Sequence, residues 1–386
     1  MPKIAAQVIE ALVPAADRVP VTDAAADTLK IFARDGSLWV GDGTRRAPLR
    51  RQATSVQRTR RGHDARGEPT LIAEFTYEYA CLPEGERVEL SVRSLLARLE
   101  NAAAMKMHRA GEYQASAAGF ARAAQLDPQR WVPWSNLACA LALSGDPAAA
   151  VASLEPLIER EPLRAYHKVM SDPELASIRT HPTLVALRAP KPGNASLEGL
   201  TMAWSESKSL VALRRQEQSW GSCAFVEELL LMSTETNEQV LTLPLVDWGD
   251  TDPSCDDGDA VIEPRYRERV ASRGAAAQRL LRDMGFSVAA DLEVVSVESS
   301  TRHGRDLHTA RFPKARLGLA IRDDEARVLR GNEVLGLRRD LWVDRIDHAG
   351  YDPDARVAFI GWTQDVAEGC DDRMPANGFE LVVLDR

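Results

Sequence analysis

The side chains best suited to proton transfer or metal binding lie in one short stretch of the C-terminal half. His303, Asp306 and His308 occur within six residues, and Cys223 would offer a nucleophile if a histidine lay beside it. The stretch lacks the His-Glu-x-x-His spacing of zinc enzymes, and no spacing in the chain shows that a histidine meets a cysteine. Surface histidines explain the pattern more simply. A metal- or thiol-dependent enzyme in residues 190–386 is therefore the alternative hypothesis.

An acidic segment of the same half is a second candidate for metal binding. Residues 247–259 hold six aspartates and no basic residue, and carboxylate oxygens are the ligands that Ca²⁺ and Mg²⁺ prefer. No glutamate stands at the closing position of a calcium loop, and Pro253 interrupts the turn. We predict a solvated acidic loop with no metal site, and no cofactor is expected elsewhere.

Residues 45–66 carry eight arginines and one acid, Asp64. Arginine side chains hold phosphate or carboxylate groups in pairs of hydrogen bonds, so the segment could act as an anion-binding loop. The candidate anion-binding residues are Arg45, Arg46, Arg50, Arg51, Arg58, Arg60 and Arg61. No aromatic residue is interleaved to stack on bases, which favours a solvated loop whose arginines pair with acids. A regulator that binds nucleic acid through this loop is the second alternative.

A repeat in the middle of the chain organises these segments. Gly111 recurs as Gly145, and Pro128 recurs as Pro162, both after 34 residues. This period accommodates a helix, a turn and a second helix. A helical hairpin of this size presents surface and carries no chemistry of its own. The repeat therefore favours an interaction protein.

The second copy resembles the tetratricopeptide repeat (TPR). Its first helix carries the bulky and small residues of that family at Trp134, Leu137, Ala138 and Leu141. Its second helix carries the small crossing residue and two apolar residues at Ala150, Leu154 and Leu157. The first copy departs from this pattern, with Glu100, Ala103, Ala104 and Met107 on its first helix and Ser116 at the crossing. The resemblance implies stacked antiparallel helices, and two short helices opening near Pro173 and Pro182 would cap them.

The resemblance also implies a groove lined by the first helix of each repeat. Its groove positions are Asn101, Met105, His108, Arg109, Ser135, Cys139, Ala142 and Leu143. In some members of the family this groove binds a carboxylate through several basic and amide side chains. In this chain only Asn136 matches one of those positions, and Tyr166 and Met170 stand where basic residues would be needed. We therefore predict an adaptor or scaffold that binds an apolar peptide or helix of another protein, and not an acidic tail.

Regions with a strand pattern flank the repeats. In residues 1–92 we predict a short helix, a hairpin turning at Asp35-Gly36, and strands at 70–81 and 87–92. In residues 190–386 the apolar period is two, and one long helix spans 263–284. Strands are predicted at 209–215, 224–233, 239–246, 292–298, 316–321, 341–346, 356–362 and 379–384. The predicted fold is α+β with three domains: a mixed region at 1–92, helical repeats at 93–189, and a mostly antiparallel sheet with one long helix at 190–386.

The composition of the chain indicates in which compartment we expect the protein and which classes of partner we do not expect. The chain has 386 residues and a net charge of −9, so it has no overall attraction for nucleic acid or acidic membranes. Its five cysteines are scattered and form no Cys-x-x-Cys pair, which fits a reducing compartment. No apolar run approaches the roughly 18 residues that a membrane-spanning helix requires. We expect a cytoplasmic protein without a membrane partner.

Overall fold

The computed structural model has an α+β fold with a helical middle region and a sheet-rich C-terminal part. The chain divides into two compact units, Met1–Leu187 and Arg188–Arg386. The structure describes residues 3–14, 19, 21–79, 82–200, 202–218, 225–236, 238–252, 261–288, 293–302, 305–322, 325–339, 345–353, 356–367 and 373–384. None of the helices within these ranges is both long and apolar enough to cross a membrane.

The first unit begins with two helices and two antiparallel sheets. The helices are α1 (Lys3–Leu12) and α2 (Asp23–Thr28). The first sheet contains β1 (Lys30–Arg34), β2 (Ser37–Gly41) and β3 (Arg46–Gln52). The second contains β4 (Ser55–His63), β5 (Pro69–Tyr79) and β6 (Leu82–Ser91). The predicted hairpin is confirmed, with Asp35 and Gly36 both at positive φ (50° and 68°) in the turn between β1 and β2.

The arginine-rich segment is not a loop, and this prediction was wrong. Most of it forms β3 and β4. In β3, Ala47 and Leu49 are buried while Arg46 is exposed, so the strand alternates as a half-buried sheet requires. β4 is almost wholly exposed and is held by its ladder to β5. Backbone pairing with a neighbouring strand therefore overrides a polar, loop-like sequence.

The helical region continues directly from β6. Its helices are α3 (Val92–Arg109), α4 (Tyr113–Leu126), α5 (Trp131–Leu143), α6 (Pro147–Arg160), α7 (Pro162–Ser171), a 3-10 helix (Pro173–Ile178) and α8 (Pro182–Val185). Gly111 and Gly145 end equivalent helices at φ of 82° and 87°, a conformation that glycine adopts without steric cost. Trp134 is completely buried. The predicted helix pairs and both proline-initiated capping helices are confirmed.

Small residues let the paired helices approach closely. A Cβ atom on Gly119 would lie 2.7 Å from the Cβ of Ala104, so α3 and α4 are in contact at this point. The equivalent residues of the next hairpin, 34 positions later, are Ala138 and Ser153, and both are completely buried. The crossing thus includes Gly119 as well as the predicted Ser116, which is also buried.

One apolar core joins the N-terminal sheets to the first repeat helix. It contains residues of β1 to β5, such as Leu38 and Phe75, together with Leu95 and Leu99 of α3. At the other side of the helical region, α1 packs against α4 and α6, the second helices of the two hairpins. The junction between β6 and α3 therefore lies inside a continuous core, and the unit boundary comes only after Leu187.

The second unit is built from antiparallel sheets. One holds β7 (Met202–Trp204), β8 (Leu210–Gln218), β9 (Phe225–Ser233) and β10 (Gln239–Val246), followed by the short pair β11 (Thr251–Asp252) and β12 (Val261–Ile262). Another holds β13 (Glu293–Ser296) with β19 (Arg345–Asp352), β20 (Val357–Ala367) and β21 (Arg373–Val383). A five-stranded meander holds β14 (Glu298–Arg302), β15 (Arg305–Phe312), β16 (Leu317–Arg322), β17 (Glu325–Arg330) and β18 (Glu333–Arg338).

The long helix of this unit is confirmed as α9 (Arg267–Asp283), preceded by a 3-10 turn at Pro264–Tyr266. It packs beside β10. The predicted strands appear wherever the structure describes them, although residues 341–344 lie outside the described ranges. The sequence analysis missed β7, β11, β12, β14, β15, β17 and β18, because these strands are short or carry many charged residues.

Candidate functional site

The predicted groove face is only partly open. Arg109 and Leu143, which are equivalent residues at the ends of α3 and α5, are exposed. Asn101, Met105 and Ala142 are half-buried, whereas His108, Ser135 and Cys139 are buried. The accessible part of this face, which we call the open end, therefore consists of Met105, Arg109, Ala142 and Leu143.

The protein's own capping segment covers part of this face. The 3-10 helix Pro173–Ile178 packs against α5, with Leu175 and Ile178 buried. Asp172 caps its start, since the Glu174 amide donates to Asp172 Oδ1 at 2.9 Å. Arg179 ties the segment back to α7 by donating to the Val169 carbonyl at 3.1 Å and the Asp172 carbonyl at 2.9 Å. The segment thus has a defined position beside the repeat helices.

Polar side chains meet where the capping segment contacts the helices. His108 Nε2 of α3 lies 3.1 Å from both carboxylate oxygens of Glu174. The Cys139 thiol of α5 lies 3.7 Å from Asp172 Oδ2, to which Lys168 Nζ also donates at 2.6 Å. We call these five side chains the inner-face cluster. Of them, the sequence analysis identified only His108 and Cys139, because Asp172 and Glu174 are recognisable in sequence only as residues at a helix start.

Burial dominates the electrostatics of the cluster. Burial raises the pKa of the Cys139 thiol well above its ordinary value, and the negative charge of Asp172 raises it further. Burial also raises the pKa of Asp172, but the hydrogen bond and positive charge of Lys168 outweigh it and keep the carboxyl ionised. Cys139 is therefore a protonated thiol and a poor nucleophile at neutral pH.

His108 is the most constrained member of the cluster. Its ring packs edge-on against Tyr113 and Phe120, with centroids 5.3 and 5.9 Å away. Its Nδ1 is buried and has no hydrogen-bond partner among the described residues. The aromatic neighbours therefore fix the ring, and within the described part of the chain its polar contact is through Nε2, toward Glu174.

At the other end of the face, two asparagine side chains form a hydrogen bond with each other. Asn136 Nδ2 donates to Asn101 Oδ1 at 3.0 Å. Asn136 is the single residue that matches the carboxylate-gripping form of the TPR groove, and this contact engages its amide within the protein. The pair joins the first helices of the two hairpins.

Several of the predicted anion-binding arginines pair with acidic residues of the first unit. Arg45 pairs with Asp42 at 2.7 Å and with the buried Glu100, so it is not available to an outside anion. Although burial raises the pKa of Asp42, hydrogen bonds from Arg45 and Thr44 lower it to about 2.

Two further arginines of the set are also paired within the first unit. Arg51 pairs with Glu86 at 2.6 Å, and Arg61 pairs with Asp27. Arg46, Arg58 and Arg60 are exposed, while the Arg50 side chain lies outside what the structure describes. Anion or nucleic-acid binding stays a prediction for these remaining residues.

The acidic segment acquires basic partners through the tertiary structure. Asp250 is completely buried and accepts hydrogen bonds from Arg269 and Arg273 of α9. Asp247 pairs with Arg273 at 2.7 Å. Two of the six aspartates thus anchor α9, and residues 253–260 lie outside the described ranges.

Comparison of the chain with known protein families, curated proteins and solved structures gave no match. The interpretation of the helical face therefore depends on the sequence repeat and on the geometry of the face.

The residues on which the alternative enzyme hypothesis depends are only partly described. His308 lies on β15, where its Nδ1 is 2.7 Å from Ser299 Oγ on the neighbouring strand β14. His303 and Cys223 lie outside the described ranges, as does the side chain of Asp306. The enzyme hypothesis for this unit stays a prediction.

Proposed function

We propose that the helical region is a TPR-like module that binds another protein, and that the whole chain acts as an adaptor. The observation that carries the proposal is the repetition of one helical hairpin after 34 residues, with Gly111 and Gly145 at the same positive φ. Hairpins that stack in this way present the surface of their first helices to a partner segment.

The open end determines the kind of partner. Met105, Ala142 and Leu143 offer apolar surface, and the side chain of Leu143 is 37% exposed. Arg109 adds one positive charge at its rim. An amphipathic helix or extended peptide with an apolar anchor fits this surface, because apolar anchors in a small patch supply most of the binding energy of such contacts. An acidic C-terminal tail fits poorly, since Asn136 is already engaged by Asn101.

Site-specific crosslinking in cells tests the proposal. A photoreactive amino acid replaces Leu143 in the full-length protein, and a matched variant carries it at exposed Glu159 on α6, outside the first helices. We expect a discrete crosslinked polypeptide from position 143 and none of the same mass from position 159. With that polypeptide purified, Leu143→Asp should weaken its binding at least tenfold, whereas Glu159→Ala should not. Equal crosslinking from both positions would exclude the first-helix face as the binding surface.

A further inference from the structure

The geometry points to a divalent transition-metal site, suited to Zn²⁺, formed by Cys139, Asp172 and Glu174, with His108 as a positioning residue. One ligand atom from each of the three residues lies within 4.8 Å of the other two. They come from α5 and from the start of the capping segment, which are separated by more than thirty residues of chain. The site extends the proposed interaction function without depending on it.

The distance between the thiol and one carboxylate oxygen fits a small tetrahedral ion. Ligands at about 2.0 to 2.3 Å from Zn²⁺ lie about 3.3 to 3.8 Å from one another. The Cys139 Sγ and Asp172 Oδ2 atoms are 3.7 Å apart. A set of one thiolate and two carboxylates suits Zn²⁺ better than Ca²⁺ or Mg²⁺, because the hard ions select oxygen alone.

Charge balance supports a divalent ion at this position. Zn²⁺ would displace the proton of the Cys139 thiol to solvent, after which Cys139, Asp172 and Glu174 contribute three negative charges. Lys168, which contacts Asp172 at 2.6 Å, supplies one positive charge, and a divalent ion supplies the other two. A buried site is stable only when its charges are compensated in this way.

The buried side chain of His108 orients one of the proposed ligands, Glu174. It is 8% exposed, and its Nε2 is directed at the Glu174 carboxylate from 3.1 Å. A buried donor that orients a ligating carboxylate is a regular feature of metal sites. The Glu174 side chain is 40% exposed, so an ion can enter from its side. A bound ion would hold the capping segment against α5 and leave the open end accessible.

Metal titration of the full-length, chelator-treated protein tests the site. With ZnCl₂, calorimetry should show one ion per chain, and CoCl₂ should produce the near-ultraviolet absorption of a thiolate–cobalt bond. Cys139→Ser should abolish that absorption, and Glu174→Gln should weaken Zn²⁺ binding at least tenfold. His108→Gln should weaken binding by roughly 10- to 100-fold and shift the visible cobalt bands while the thiolate absorption persists.

The matched control replaces the other four cysteines, Cys81, Cys223, Cys255 and Cys370, with serine and keeps Cys139. This variant should bind both metals like the wild type. If circular dichroism shows that Cys139→Ser does not fold, the loss of Zn²⁺ affinity in Glu174→Gln tests the site instead, because Glu174 is only half-buried. The inference is overturned if the wild type binds no Zn²⁺, or if the cobalt absorption disappears with the four serines and survives Cys139→Ser. No partner protein is involved, so the outcome is independent of the proposed interaction.

Discussion

Glu100 and Trp134 occupy the same position in successive hairpins, 34 residues apart, and both are buried. Trp134 fills its position with an indole ring, whose Nε1 donates to the Pro128 carbonyl at 3.0 Å. Glu100 instead accepts hydrogen bonds from Arg45, which immediately precedes β3, and from Arg122 on α4, the latter at 2.9 Å. The first hairpin thus uses this position to bind the N-terminal sheet, whereas the second hairpin fills it with an aromatic ring.

This relationship predicts a large effect of Glu100→Ala. The substitution leaves the partly buried guanidinium groups of Arg45 and Arg122 without the carboxylate that they share. We therefore expect the free energy of unfolding to fall by about 2 to 4 kcal/mol. Glu86→Ala is the matched control, because its pair with Arg51 is exposed and should contribute less than about 1 kcal/mol. Urea denaturation measures both. Similar losses in the two variants would contradict the structural role of Glu100.

Trp134→Ala should destabilise the helical region by about 3 to 5 kcal/mol, since the ring is completely buried between helices. Trp131→Ala is the control. That ring is only half-buried, with the Arg164 guanidinium 5.8 Å from its centroid, and should contribute about 1 kcal/mol. The same denaturation assay compares them. A Trp134 variant within 1 kcal/mol of the wild type would rule out its position in the interhelical core.

His167 should make the first unit sensitive to mild acid. Burial, and then the charge of Lys168, lower the pKa of His167 from 6.5 to about 4. The unfolded chain therefore takes up a proton at a higher pH than the folded chain. The stabilising contribution is complete above pH 6.5 and is lost as the pH falls toward 4.

The His167→Gln variant should show a flatter dependence of the urea midpoint on pH between 7.5 and 4. An unchanged slope in the His167 variant would show that other groups cause the acid sensitivity.

Asp250→Ala should destabilise the second unit by about 3 to 4 kcal/mol, because it removes a buried carboxylate shared by Arg269 and Arg273. Asp247→Ala should cost about 1 kcal/mol or less, since that side chain is half exposed. Thermal unfolding distinguishes the two variants when it is followed by tryptophan fluorescence, because Trp248 lies between the two residues in the sequence. Equal stability would mean that α9 does not depend on Asp250.

The local elements could be predicted from the sequence alone. Gly111, Gly145 and the prolines mark helix ends, Asp35-Gly36 marks a tight turn, and the apolar period of residues 263–284 marks α9. These signals are reliable because each depends on the dihedral preferences or the apolar face of one short segment.

Only the tertiary structure decided which side chains meet. The sequence predicts that Arg45 lies in a loop, with anion binding as one possible role, yet Arg45 binds Glu100, 55 residues away. Cys139 was assigned to an open groove, yet it contacts Asp172, and His108 contacts Glu174 across 66 residues. Nothing in the spacing of these residues encodes their contacts. The contacts arise because α3, α5 and the capping segment pack together, and that packing depends on the apolar surfaces of the whole unit.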